Sequence, residues 1–370
     1  MNTVKSMAII GAGVAGLALA IFARKQGVKV TLYERGENFS SIGAGVTLWP
    51  NASFVIQQLG LMDKVLKTSG QPSYMRQCNR QGQQQNEFDI AAVNAACGFP
   101  TINLFRRDLI KLLADALQPL NATVIFNKAL TSKDIPRLQQ QFDLVVGADG
   151  RMHSPARQCL YGDKIQPKYQ GFINIIGLCA MDRDQNIHEY RENGERFGIV
   201  PVTQREGYWA AAWSCDMDES RPLTSWFDEM HHRFQHWPSK VQQVLNNYDS
   251  NSVKRLFVHD LDPLPYWHKD NLIIIGDAAH APLPTSGQGA SQALEDAWHL
   301  SQRLKQHQPL DDLLSQFYNT RIHKASSAQH IGRQVAQHIF HQPPSATQTA
   351  QGISTEQLSK LYMEGLGSNH

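Results

Sequence analysis

Three short apolar runs in this chain each stop at a glycine, and that recurrence constrains the fold more than any other feature. They are "MAIIGAGVAG" at Met7–Gly16, "DLVVGADGRMHSPAR" at Asp143–Arg157 and "NLIIIGDAAHAPLPTSGQGASQALEDA" at Asn271–Ala297. Apolar runs of this length without alternation read as strands buried on both faces, as in a parallel sheet covered by helices. Acids follow two of the strand ends, at Asp149 and Asp277.

The first run carries the fuller pattern. Gly11 permits a tight turn, Gly13 lets backbone approach a pyrophosphate, and Gly16 allows a helix to pack closely on the strand. The helix N-terminus then offers unpaired N–H groups and the positive end of its dipole to an anion. A second strand, "VKVTLYE", ends at Glu34, where a carboxylate can accept hydrogen bonds from a ribose diol. Strand, helix, strand and acid in this order point to a dinucleotide, and leave FAD and NAD both open. Met7–Ala23 after Lys5 also resembles a signal-peptide core, but the glycines and the immediate second strand argue against that.

The third run favours the longer ligand, because FAD has a ribitol chain and an isoalloxazine still to be held once its adenosine and pyrophosphate are bound. Leu272–Ile275 reads as a buried strand, and Asp277 just past it can accept bonds from ribitol hydroxyls. Pro282 and Pro284 stiffen the loop. Gly287 and Gly289 precede a helical pattern from Ala290 to Leu304, whose N-terminus would face the far end of the ligand.

Composition narrows the class. A chain of 370 residues with 42% hydrophobic content suits a soluble protein of two domains, or one with an insertion. A net charge of +2 with no long basic block gives no footprint for nucleic acid, and no integral membrane segment is expected. Five scattered cysteines, Cys78, Cys97, Cys159, Cys179 and Cys215, form no CxxC pair and suggest a reducing cytoplasm. His232 and His236 fall four apart in "HHRFQH", on one face if that segment is helical, but lack the carboxylate of an HExxH site, so no metal is expected. "HQPPSATQTAQG" at 341–352 reads as a loop before a short helix.

Taken together, the GAGVAG opening with Glu34 and Arg35, "GADGRMHSPAR" and "GDAAHAPLPTSGQGASQALEDA" resemble the three signatures of the class A flavin monooxygenases, the para-hydroxybenzoate hydroxylase-like enzymes. Two shorter matches, "GAGVTLWPNA" and "LFRRDLIKLL", fit as well. "VTLWPN" and the hairpin "RFGIVPVTQREGYW" look most like the salicylate and urate hydroxylase branch. The resemblance implies an α/β fold: a Rossmann-like FAD-binding domain (1–70, 100–162 and 266–330) with an inserted antiparallel β-sheet substrate domain (71–99 and 163–265), then a C-terminal helical segment (331–370). It implies FAD contacts at Gly11, Gly13, Ala15, Gly16, Glu34, Arg35, Gly45, Arg106, Asp149, Asp277, Pro284, Gly287, Gly289 and Ala290. Asp149 and Arg157 would serve NAD(P)H, although a surface arginine capping a carboxylate is an alternative for Arg157.

The implied activity is NAD(P)H- and O2-dependent hydroxylation of a small aromatic or heteroaromatic substrate through a flavin C4a-hydroperoxide, by a cytoplasmic monomer or homodimer. Epoxidation, or another flavoprotein oxidoreductase of halogenase or reductase type, is the alternative on the same scaffold. Arg196 and Tyr208, on the two strands of the hairpin, are the candidates for substrate contact, since a cation and a phenol together bind an acidic or carbonyl-bearing ring. A solvent-side arginine and a core tyrosine are the structural alternative. Trp209 and Trp213 read as core by period 2, and His280 as support for the flavin loop.

Overall fold

The computed structural model of the protein describes residues 4–39, 43–181, 184–306, 308–341 and 354–367. The first glycine-ended run becomes β1 (Ser6–Ile10) and α1 (Val14–Lys25), followed by β2 (Lys29–Tyr33). Met7, Ala8 and Ile9 have no exposed surface, as expected of a strand sandwiched between helices. The chain continues through β3 (Gly45–Leu48), α2 (Pro50–Gln58) and α3 (Met62–Leu66), then β4 (Tyr74–Cys78), β5 (Gln84–Asp89) and α4 (Ile90–Cys97). Next come β6 (Ile102–Phe105), α5 (Arg106–Leu117), β7 (Thr123–Ile125), α6 (Ile135–Gln141), β8 (Leu144–Gly147) and α7 (Pro155–Tyr161).

A second layer follows, with β9 (Lys168–Ala180), β10 (Ile187–Glu192), β11 (Glu195–Pro201) and β12 (Glu206–Ser214). Then come α8 (Leu223–Phe234), α9 (Ser239–Asn247) and β13 (Tyr248–Asp260). The chain returns with β14 (His268–Lys269) and β15 (Leu272–Ile274), and ends in α10 (Gly289–Arg303), α11 (Leu310–Ala336) and α12 (Thr355–Met363).

One sheet has the order β14-β15-β8-β1-β2-β7. Its centre is the three runs themselves: β8 lies between β1 and β15, parallel to both, with Gly147 in register with Ile10 on one side and Ile274 on the other. The three glycine ends therefore emerge along one edge of one sheet. There is no room for side chains where they meet. A Cβ on Gly11, whose φ is +100°, would lie 2.4 Å from the Ala148 carbonyl oxygen, and one on Gly16 would lie 2.0 Å from that of Gly11.

The second sheet has the order β13-β9-β12-β11-β10-β4-β5. It is antiparallel except for β10 and β4, which pair in parallel because β4 arrives from a separate, earlier part of the chain. Residues 71–99 do not lie wholly in this sheet: after β5, Asp89 caps α4 by accepting from the Ala92 N–H at 2.8 Å. Alternation divides the sheet's faces. Phe197, Trp209 and Trp213 point to the far face, where they are buried against Trp226, Phe234 and Val241 of α8 and α9. Arg196, Gly198, Tyr208, Ala210 and Ala212 point the other way, toward the parallel sheet's layer.

Two expectations need correction. The boundary at 330/331 falls inside α11, whose apolar face continues through Ala325, Ala328, Gly332 and Ala336 without a break. His232 and His236 do not share a helix face, because α8 stops at Phe234, between them. The loop expected at 341–352 lies, apart from His341, outside the described residues. No described helix is long and apolar enough to cross a membrane.

Candidate active site

Beyond the C-terminal edge of the parallel sheet lies a cavity of about 560 Å³, lined among others by Gly11, Gly13, Glu34, Arg35, Arg106, Asp149 and Arg157. α1 opens onto it at Gly13 with no side-chain cap, so its first N–H groups are left for a ligand. A Cβ on Gly13 would meet nothing within 4 Å, so the protein itself does not require glycine there. That combination, an uncapped helix end and a vacant approach, fits a dinucleotide diphosphate. Glu34 stands beside it, accepting from Ala12 N–H at 2.9 Å and Gly36 N–H at 2.8 Å; each oxygen keeps a lone pair for a diol. Arg35 is exposed at the cavity.

At the middle strand end, Asp149 accepts from Ser154 Oγ at 2.5 Å and from Ala156 N–H at 3.0 Å, fastening the start of α7. Burial pushes its carboxyl pKa up. Arg157 is not a surface arginine. It is 3% exposed, and its guanidinium donates to the carbonyls of Arg151 at 2.5 Å, Ala278 at 3.1 Å and Gly150 at 3.4 Å. α7 turns this side chain inward between two loops, at the wall of the cavity, where three backbone carbonyls hold its guanidinium.

At the third strand end, Asp277 lies in a short 3-10 turn and accepts from Arg151 Nη2 at 3.3 Å. The Ala15 methyl packs against Gly276, where a Cβ would come within 3.1 Å of it. Pro284 begins a further 3-10 turn that Thr285 ties to α11 by donating to the Gly332 carbonyl at 2.6 Å. Gly287 has φ +63° and backs onto Trp49, and α10 then starts at Gly289 and Ala290, again without a side-chain cap. Arg106, the first residue of α5, has a buried Nε with no acceptor among the described residues, and burial lowers its pKa. A buried guanidinium N–H without an acceptor calls for a partner, and Arg106 lines the cavity where a ligand could supply one.

The near face of the second sheet approaches these elements. The Tyr208 ring lies on Gly45, where a Cβ would fall 2.0 Å from its Cδ1. Gly45 is thus required by the tyrosine, whatever it contributes to a cofactor. Tyr208 Oη is 3.0 Å from Thr47 Oγ1, and burial pushes its pKa up to about 12. Arg196 is joined to Glu189 at 3.1 Å, and Arg191 also pairs with it, so that two half-buried cations share one buried carboxylate. Burial pushes Arg196 down to about 10 and Arg191 to about 9. Arg196 and Tyr208 are not cross-strand partners; Gly198 and Ala210 form the small-residue row between theirs.

Several residues of the site escaped sequence reasoning. Arg151 joins the middle motif to the third by Asp277 and Pro282, and to β13 by donating to the His259 carbonyl at 2.7 Å. Behind the third loop is an ionic network with almost no exposure. Arg321 contacts Glu295 at 2.7 Å and Asp296 at 2.8 Å, and Lys324 contacts Glu295 at 2.9 Å. Asp296 Oδ2 accepts from Gly276 N–H at 2.7 Å and lies 2.7 Å from His280 Nε2, which fixes the loop that carries Asp277. Burial acts to raise the Asp296 pKa, but His280 and Arg321 outweigh it and hold it down at about 2. Lys324 also donates to the carbonyls of Tyr362 and Glu364, tying the end of the chain to the same network. Among the described residues, no cluster of His, Cys, Asp or Glu could hold a metal ion.

A family model described as FAD binding domain matches residues 4–326. The chain is 28% identical over 341 residues to the aurachin C monooxygenase/isomerase of Stigmatella aurantiaca, covering 88% of this chain and 87% of the relative. It is 29% identical over 359 residues to the 6-hydroxynicotinate 3-monooxygenase of Bordetella bronchiseptica, covering 88% and 89%. In fold it is similar to Klebsiella pneumoniae HpxO solved with FAD and uric acid, with a TM-score of 0.81, 22% identity, and coverage of 91% and 89%.

Proposed function

The chain belongs to the FAD binding domain family and is a class A FAD-dependent monooxygenase; from that premise we propose that its substrate is a small aromatic or heteroaromatic ring held between Arg196 and Tyr208. One observation carries the reading. Both side chains project from the same face of the second sheet, separated by the small residues Gly198 and Ala210, with Val200 beside Tyr208 and Ala212 beside Arg196, and it is the face turned toward Gly45 and the third loop.

Bound FAD supplies the redox chemistry, taking electrons from NAD(P)H and activating O2. The residues of α1's N-terminus and Glu34 hold its adenosine and diphosphate, while Arg106, Asp277 and the N-terminus of α10 hold the ribitol and the ring system. Arg196, kept cationic beside Glu189, binds an oxyanion or carbonyl of the substrate. Tyr208 stays protonated at neutral pH and orients the ring by a hydrogen bond. Leu283, Phe172 and Phe340 pack together at one end of the face and exclude water there. The cytoplasm, as the compartment that regenerates NAD(P)H, and a monomeric or homodimeric state accompany this reading.

The test is a panel of aromatic acids and heterocycles scored by stimulated NAD(P)H oxidation and by product mass. Arg196→Ala and Tyr208→Phe are expected to keep FAD while lowering hydroxylated product per NAD(P)H consumed and raising peroxide release. Coupling and ring affinity equal to the parent's in both variants would remove these residues from the site.

A further inference from the structure

The hydrogen bonds behind Tyr208 have only one consistent direction. Thr47 and Asn103 are direct cross-strand partners in the β3–β6 pair. Asn103 has no exposed surface, and its Nδ2 donates to the Pro201 carbonyl at 3.1 Å. A carbonyl cannot donate, so the amide cannot be turned the other way, and Oδ1 faces Thr47 Oγ1 at 2.8 Å. The only hydrogen that can lie between those two oxygens is that of Thr47. Having spent its proton on Asn103, Thr47 meets Tyr208 Oη at 3.0 Å as an acceptor, and the phenol must donate to it. Asn103 can take no proton, so the chain ends there and relays nothing. What Tyr208 has left for a ring is its lone pairs.

Resting on the substrate site under Proposed function, we propose that Thr47 and Asn103 are positioning residues that lock Tyr208 as a hydrogen-bond acceptor, so that the site selects rings presenting an N–H or O–H donor to it. A lactam N–H or a ring hydroxyl meets that demand. An isostere with a ring oxygen there sets two sets of lone pairs against each other and leaves a buried acceptor unpaired.

Coumalate and its aza isostere, the pyridone carboxylate in which N–H replaces the ring oxygen, share shape and charge and differ at this one group. Calorimetric titration of the FAD-loaded protein is expected to show the pyridone binding at least tenfold more tightly. In Thr47→Val the phenol proton is released toward the ring, and the preference should fall to near unity or reverse; Thr47→Ser should restore it. FAD content and melting temperature of the variants monitor folding, which the ratio between two ligands does not report. Equal binding of the two ligands by the parent, or an undiminished preference in folded Thr47→Val, overturns the inference. Failure of the pyridone to bind at all also overturns it, since the ligand carries the donor called for. The hydroxylase reading is decided separately by the wider panel.

Discussion

Tyr208 occupies the space that a side chain on Gly45 would need: a Cβ there would lie 2.0 Å from one ring carbon and 2.2 Å from the next. Gly45→Ala should therefore displace the phenol while leaving α1, Glu34 and the 560 Å³ cavity intact. FAD content is expected to stay near the parent's, and ring affinity by calorimetry to fall about tenfold, or about 1.4 kcal/mol. Loss of FAD with ring binding intact would mean that Gly45 serves the cofactor alone.

Gly13→Val separates folding from cofactor binding. The position has φ −79°, open to any residue, and no protein atom lies within 4 Å of its Cβ direction. The apoprotein should melt at the parent's temperature yet bind FAD at least a hundredfold more weakly, about 2.7 kcal/mol. A yellow, fully loaded variant would place the diphosphate elsewhere.

Arg157→Met tests a structural assignment. Its three carbonyl acceptors lose a buried donor, which should cost about 1–3 kcal/mol of stability in urea unfolding. The KM for NAD(P)H should be unchanged in whatever fraction remains folded. A raised KM at unchanged stability would return this arginine to the nicotinamide.

Arg321→Met leaves the unexposed carboxylates of Glu295 and Asp296 without their shared guanidinium. Breaking such a pair typically costs about 3–5 kcal/mol. The expected variant is poorly folded, and its folded fraction loses FAD, because Asp296 anchors the loop of Asp277 through Gly276 and His280. Unfolding monitored by tryptophan fluorescence, together with flavin retention, measures both effects.

Acid should destabilise the fold through His299. Burial, aided by Arg321 and Lys324 and opposed by Glu295 and Asp296, pushes its pKa down to about 4. The unfolded chain takes up this proton near pH 6.5, whereas the folded one waits until about 4. Stability is thus fully present above about 6.5, is lost as pH falls between those values, and changes no further below; the total is about 3 kcal/mol. Urea midpoints measured across that range should flatten in His299→Gln. An equally steep profile in the variant assigns the acid sensitivity to another group.

Where the sequence was legible, the reason was locality. Gly11, Gly13, Gly16 and Glu34 sit in one strand–helix–strand unit whose spacing is its geometry. The hairpin was legible in part: alternation separates Tyr208 from the tryptophans, while it is the β11–β12 register that brings Arg196 to the face of Tyr208. What escaped reading depends on distant partners. Arg157 looks like an open charge until α7 turns it inward. Glu295, Asp296, Arg321 and Lys324 look like solvated helix charges, because α10 and α11 reveal their shared face only after packing. Asn103 carries no signal in "TINLF"; only β3 alongside it gives its amide a direction.

The placement of β8 between β1 and β15 also has a consequence for biosynthesis. β1 and β8 can pair as soon as residue 147 leaves the ribosome, but the partner for the other side of β8 begins at Leu272. At about 5–20 residues per second the intervening chain takes about 6–25 s to make. For that time a wholly apolar strand presents an open edge, and the loop with Asp277 does not yet exist. A messenger truncated anywhere in that interval yields an aggregation-prone fragment rather than a partial enzyme, so nascent chains of this protein need shielding late in translation.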